Sequence, residues 1–261
     1  MSLPAFLRPV ATVAALGLAV FFGAPVGDAR AQMSASQKAE VQSIIKDYLL
    51  SNPEVLRDAM IELDRREKAE AESARTRAVA ELKPLIYDSK NQTVVGNPNG
   101  KITLVEFFDY NCSYCKKSLD DMAKLIKANP DLRIVLKDFP VLGPGSVEAA
   151  QVATAVRNQL SGDKYWAFHS KLLMSRAPAS KASALAAAKE SGVDMDRLNK
   201  DVDRPDVHAA IEEVMKIADG LSLTGTPSFV VGDDVVVGAV GYDELKAKVD
   251  NVRKCGKAAC G

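Results

Sequence analysis

Cys112-Ser113-Tyr114-Cys115 sits between a strand-like run, Ile102-Thr103-Leu104-Val105-Glu106-Phe107-Phe108, and a helix-like run from Ser118 to Ala128. No other feature constrains the chain as much, because this junction puts a thiol at the start of a helix. Unpaired backbone N–H groups and the positive end of the helix dipole favour thiolate over thiol there. Lys116 and Lys117 add positive charge nearby. The same spacing would also suit half of a zinc site, which needs a second ligand pair. The remaining pair, Cys255 and Cys260, is a poor match for that half.

Glu106 lies on the incoming strand, where alternation with Val105 and Phe107 points it beneath the dithiol. A carboxylate there is a candidate acceptor for the proton of Cys115. Far downstream, Thr224-Gly225-Thr226-Pro227-Ser228-Phe229-Val230-Val231 places a proline at the mouth of a β-prone run, where a cis bond makes a tight turn. Strand, glutamate, Cys-x-x-Cys helix and Thr-Pro strand together resemble a thioredoxin fold.

The resemblance is closest to the disulfide-bond protein A branch, carried by Glu106-Phe107-Phe108 before the cysteines and by Gly225-Thr226-Pro227-Ser228. It covers residues 84–252. Within that branch the chain is most similar to the suppressor of copper sensitivity protein C group, which carries a helical segment before the catalytic domain. The resemblance implies Cys112 as attacking thiol and Cys115 as resolving thiol, with Thr226 and Pro227 packed against the dithiol to contact substrate backbone. It also implies a membrane thiol reductase as partner and a homo-trimer. The dipeptide Ser113-Tyr114 departs from the branch's oxidase, with Tyr114 standing where that enzyme has histidine. These two residues surround the sulfur of Cys112 and tune its redox poise; the oxidase owes its strength to a stabilised reduced form.

The first residues read as a cleaved export signal: Arg8, an apolar run from Val10 to Phe22, and Ala29-Arg30-Ala31 as a small-x-small cleavage site. The apolar run is shorter than the roughly 20 residues that span a bilayer. Residues 1–31 are therefore assigned to the signal and the mature chain to the periplasm, where disulfides persist. Lys and Arg, 34 together, balance 34 Asp and Glu, so no bulk field would draw nucleic acid. His169 and His208 are too few for a histidine-built metal site and read as ordinary surface or boundary residues. No cofactor is expected.

Residues 32–83 form an N-terminal helical segment and charged stalk. Val41, Ile44, Ile45, Tyr48 and Leu49 share one helical face. Asn52-Pro53-Glu54 ends that helix and starts another, with Asn52 as N-cap and Pro53 at the first position. Its apolar face is Val55, Leu56, Ala59, Met60 and Leu63, after which residues 64–72 are helix-prone but have little to bury. Self-association would cover the apolar face; docking on the same chain's catalytic domain is the alternative. The apolar pattern is too short to fix the number of chains.

In the catalytic domain, residues 84–252, the segment 132–139 is expected as a strand parallel to 101–108 through the Cys-x-x-Cys helix. Residues 146–221 read as a helical insertion, broken at Gly162, Pro178, Gly192 and Pro205. Residues 229–231 and 235–237 pair as a hairpin, followed by a helix from Tyr242. The tail, residues 253–261, holds Cys255 and Cys260, close enough for a small disulfide loop; Cu(I) ligation is the alternative. The leading function is an exported thiol-disulfide isomerase or reductase acting on misfolded, disulfide-containing exported proteins. A monomeric dithiol oxidase competes with it, and a copper-binding or sequestering protein stands as the reading from another class.

Overall fold

The structure, a computed structural model, describes residues 33–260. The export signal expected at residues 1–31 lies outside the described residues. The chain divides into two compact units, Met1–Ile61 and Glu62–Gly261.

In the first unit, α1 (Ala35–Ser51) opens with a capping box in which the Ser34 and Gln37 side chains each accept the other's backbone N–H. The next helix, α2 (Pro53–Glu81), begins on a proline, whose missing N–H costs nothing at that position. Asn52 does not cap α2 with its side chain as expected. Its amide donates instead to the Tyr48 carbonyl at 2.8 Å and closes the end of α1. No residue of α1 is buried: Val41, Ile44, Ile45 and Tyr48 are exposed, as are Leu56 and Met60 of α2.

In the second unit, α2 continues through exposed pairs of Glu62 with Arg65 and Arg66 and of Asp64 with Lys68, until Val79 becomes its first buried side chain. A short helix, α3 (Lys83–Tyr87), follows and buries Ile86 and Tyr87. The sheet begins with β1 (Thr93–Gly96) and β2 (Ile102–Phe108); α4 (Ser113–Ala128) then crosses over to β3 (Leu132–Asp138). Five helices form the insertion: α5 (Pro144–Val156), α6 (Gly162–Leu173), α7 (Lys181–Glu190), α8 (Met195–Asp201) and α9 (Pro205–Gly220). A hairpin of β4 (Ser228–Val231) and β5 (Asp234–Val237) returns to the sheet, and α10 (Tyr242–Cys255) ends the order.

The strands run β1-β3-β2-β4-β5, with β2 and β3 parallel and the other neighbours antiparallel. The parallel pair requires the crossover that α4 supplies. This is a thioredoxin fold with a helical insertion. Central β2 is covered on both faces. Leu104 and Phe108 pack with Cys112, Cys115, Met122 and Phe168, whereas Val105 and Phe107 pack with Ile86, Val214 and Ile217. Glu106, in phase with Leu104 and Phe108, therefore faces the cysteine side.

Of the tail expected at residues 253–261, the described part, to Cys260, continues from α10 and is docked. Gly256 ends the helix in the left-handed conformation, φ 78°. Cys255 and Cys260 are joined in a disulfide. Within this loop Ala258 is buried; its N–H donates to Asp233 Oδ1 at 3.0 Å, and its carbonyl accepts from Asn251 Nδ2 at 2.9 Å.

Candidate active site

Cys112 is the N-cap of α4, and its Sγ accepts the Cys115 N–H at 3.3 Å, the role a serine or aspartate oxygen plays at ordinary helix starts. Both cysteines are free. Cys112 retains 5 % exposure and Cys115 none, so only the first sulfur can meet a second molecule. Opposite them the Thr226-Pro227 bond is cis, and Cys112 Sγ lies 3.2 Å from the Thr226 carbonyl oxygen, which can accept from it only in the thiol form. That loop is braced from behind. The Pro227 carbonyl accepts the Gly238 N–H at 2.8 Å, and the Ser228 hydroxyl donates to the Gly225 carbonyl at 2.8 Å.

The two thiols differ sharply in acidity. The hydrogen bond from the Cys115 thiol lowers Cys112 to about 6, helped by the Thr226 side chain and the N–H groups of Cys115 and Tyr114, which together outweigh burial. The same hydrogen bond, then burial, then Glu106 raise Cys115 far above an ordinary thiol. One contribution runs the other way: the peptide N–H of Asp109 favours the Cys115 thiolate. Glu106 is 2 % exposed; burial first, then the neighbouring Cys112 charge, push its carboxyl up to about 8. At neutral pH the resting site thus holds a Cys112 thiolate, a Cys115 thiol and a protonated Glu106. The carboxylate expected beneath the dithiol is a carboxylic acid at neutral pH, held so first by burial and then by the Cys112 charge.

Ser113 opens α4, and Tyr114 is 58 % exposed beside Cys112. The positive charge expected from Lys116 and Lys117 is engaged elsewhere. Lys116 Nζ donates to the Ser175 carbonyl at 2.9 Å, and Lys117 Nζ lies 5.1 Å from the centre of the Tyr114 ring, a cation–π contact. The acidity of Cys112 comes mainly from hydrogen bonds. Cys255 and Cys260 are not part of this site, since their loop sits on the turn at the other end of β4.

Sequence reasoning missed the support behind the cysteines. Asp109 is buried, and its carboxylate accepts four hydrogen bonds: from the N–H groups of Val141 and Leu142, both 2.9 Å, and from the Asn111 N–H and Ser146 hydroxyl, both 2.7 Å. Asn111 in turn bonds Ala179 through both backbone groups. The only local signal was a short polar residue two positions before Asn111, the pattern of an Asx turn. His169, expected at the surface or boundary, is 1 % exposed. It stacks on Trp166, meets Phe108 edge-on, and its Nδ1 lies 3.3 Å from the Tyr110 hydroxyl; burial pulls it down to about 3. His208 is exposed on α9, as expected.

A family model described as Thioredoxin matches residues 88–251, more than half of the chain. The chain belongs to the thioredoxin family. A second model, described as the copper resistance protein ScsC N-terminal domain, matches residues 37–70. Among solved structures, a thioredoxin-like oxidoreductase from Silicibacter pomeroyi is 40% identical, covering 66% of this chain and 98% of that one, TM-score 0.63. Proteus mirabilis ScsC in a compact conformation is 29% identical, covering 84% of this chain and 99% of that one, TM-score 0.63. Among curated proteins, disulfide bond formation protein D of Bacillus subtilis is 24% identical over 175 residues, 63% of this chain and 78% of that protein. These relatives support thiol-disulfide oxidoreductase chemistry for this thioredoxin-family chain.

Proposed function

We propose that this protein is an exported, periplasmic thiol-disulfide isomerase or reductase that repairs wrong disulfides in other exported proteins. The observation that carries the reading is the pairing of an acidic, slightly exposed Cys112 with a buried, strongly basic Cys115 beside Thr226-Pro227. The Cys112 thiolate attacks a client disulfide, forming a mixed disulfide and expelling one client thiolate. That step removes the Cys112 charge and with it one reason for Glu106 to hold its proton. Glu106 then ionises more readily and accepts the Cys115 proton, directly or through water. The Cys115 thiolate attacks Cys112 Sγ and releases the client's second sulfur as thiolate; alternatively another client thiolate attacks that sulfur, closes a new pairing and expels the Cys112 thiolate.

The N-terminal helices support self-association. Their exposed face, Val41, Ile44, Ile45, Tyr48, Leu56, Met60 and Leu63, is the kind of surface a second copy buries, and the family resemblance favours a trimer. Several dithiols around one client would favour shuffling over a single exchange. Removing residues 32–63 should therefore give a monomer that still exchanges disulfides yet loses repair of a scrambled client. Light scattering coupled to chromatography and a refolding assay read the two parts; a full-length protein already monomeric at micromolar concentration would sink the oligomer reading.

A monomeric dithiol oxidase is the second reading, favoured by one observation: a thiol lowered to about 6 stabilises the reduced form, which makes the disulfide form oxidising. The redox state of Cys112 in cells separates the two, reduced for an isomerase fed by a membrane thiol reductase and oxidised for an oxidase. A copper-sequestering role would use Cys112 and Cys115 as ligands. Among the described residues no group of three or more His, Cys, Asp or Glu side chains clusters as a metal site.

A further inference from the structure

Asp109, Tyr110, Asn111 and Cys112 form a turn closed by a hydrogen bond from the Cys112 N–H to the Asp109 carbonyl at 3.0 Å, and Asn111 is its third residue. The Asn111 side chain leaves that turn and is engaged by two other segments. Its Nδ2 donates to Ser146 Oγ at 2.9 Å and to the Ala179 carbonyl at 3.1 Å, and its Oδ1 accepts the Ala179 N–H at 2.7 Å. Its backbone N–H is taken by Asp109 Oδ1 at 2.7 Å. Gly145, in the first turn of α5, makes room for this clamp: a Cβ there would stand 2.6 Å from the Ala179 carbonyl oxygen. On the other side of the turn, Cys112 Sγ accepts the Cys115 N–H at 3.3 Å and stands 3.2 Å from the Thr226 carbonyl oxygen. Those two contacts belong to separate parts of the chain, and a displaced Cys112 backbone would lose them together.

We infer that Asn111 is a positioning residue for the attacking thiol, its amide holding the turn that delivers Cys112 to the start of α4. The inference rests on the dithiol exchange proposed above and concerns its first step, in which the Cys112 thiolate attacks a disulfide, forms a mixed disulfide and expels one sulfur as thiolate. Among the described residues no hydrogen bond joins the Asn111 side chain to either active-site sulfur, so its influence runs through the backbone. One amide that both serves and receives the Ala179 backbone is fixed in position and in rotation. With Ser146 it ties the residue before Cys112 to α5 and to the segment before α7. A loosened turn would let the sulfur drift from the Cys115 N–H, and misplacing a reacting atom by a fraction of an ångström costs rate. An Asn111 that only braced the helical insertion would add stability and leave the acidity and reactivity of the sulfur unchanged.

Asn111→Ala tests this, because it removes three side-chain hydrogen bonds without changing the charge beside the thiol. In the full-length reduced protein the thiolate absorbance midpoint of Cys112 should rise by roughly half a unit. Attack on a small aromatic disulfide at pH 6, near the native midpoint, should slow by about fivefold, of which the smaller thiolate fraction explains only about twofold. Gly145→Ala reaches the clamp from the far side by displacing the Ala179 carbonyl while Asn111 itself stays in the chain. It should move both readings in the same direction by a smaller amount, and it decides the matter if Asn111→Ala does not fold. Urea unfolding of each variant under the same reducing condition records the loss of stability separately. Variants that lose stability yet keep the native midpoint within about 0.2 unit and the native attack rate within about twofold overturn the positioning role, as does a midpoint that moves downward. A native protein that does not attack the disulfide at all fails the proposed function instead; the absorbance midpoint needs no exchange partner and still tests how Cys112 is placed.

Discussion

Glu106→Gln should change the pH dependence of stability by an amount that follows from where the side chain sits. In the folded protein the carboxyl holds its proton to about 8, against an ordinary value of 4.5. Below pH 4.5 both folded and unfolded chains carry the proton, and Glu106 contributes no pH dependence. Between 4.5 and 8 the unfolded chain ionises while the native one does not, so stability falls as pH rises; above 8 both are ionised and the loss is complete. The full loss is about 5 kcal/mol, with about 3 kcal/mol of it reached by pH 7. Glutamine keeps the shape but does not titrate, so its own packing cost is the same at every pH. Denaturant unfolding of both proteins under one reducing condition, from pH 4.5 to 8.5, reads the difference directly. The variant should gain on the native protein by several kcal/mol across that range. A stability difference that stays flat with pH would refute the burial-driven protonation and with it the proton-transfer role given to Glu106.

Alkylation of the reduced protein should rise through a midpoint near pH 6 and fall on Cys112; preferential labelling of Cys115 near neutral pH would reverse the assignment of attacking and resolving thiols. Thr226→Val removes a side-chain hydrogen bond that lowers Cys112 and should raise its midpoint by roughly half a unit to one unit in thiolate absorbance, whereas an unchanged or lower value would refute that contact. The His169 ring is held neutral by burial to about 3, so stability linked to it is complete above pH 6.5 and is lost as pH falls toward 3. Its NMR signals should stay at the neutral position down to pH 4, and a midpoint above 5 would contradict the buried placement.

The parts of the site that could be read along the chain are those whose chemistry is local. A cysteine at a helix start, a strand feeding it, and a proline opening a β-prone run each declare themselves within about ten residues. Strand alternation was enough to put Glu106 on the cysteine side, though its protonation depends on total burial, which no short window reveals. Asp109 and Asn111 look like turn residues locally, because every partner except their own neighbour lies more than thirty positions away. His169 misled for a related reason. On α6 it falls beside Phe168 and before Leu172, and only the approach of Phe108 and Tyr110 from β2 and its following loop turns that boundary into core. The same holds for the tail, whose docking depends on Asp233 in a turn formed by a different hairpin.

The disulfide loop on that turn bears on how the protein lives with its own chemistry. Free Cys112 and Cys115 beside joined Cys255 and Cys260 give one chain two redox pairs, and Cys255 of the second is exposed. The short loop of the second pair favours the closed form. Its cysteines lie five positions apart, and Ala258 between them is pinned to Asp233 and Asn251, so closing the loop costs little chain entropy. Cys112 is held at its helix start by contacts to the Asp109 and Thr226 carbonyls, yet its sulfur stays free.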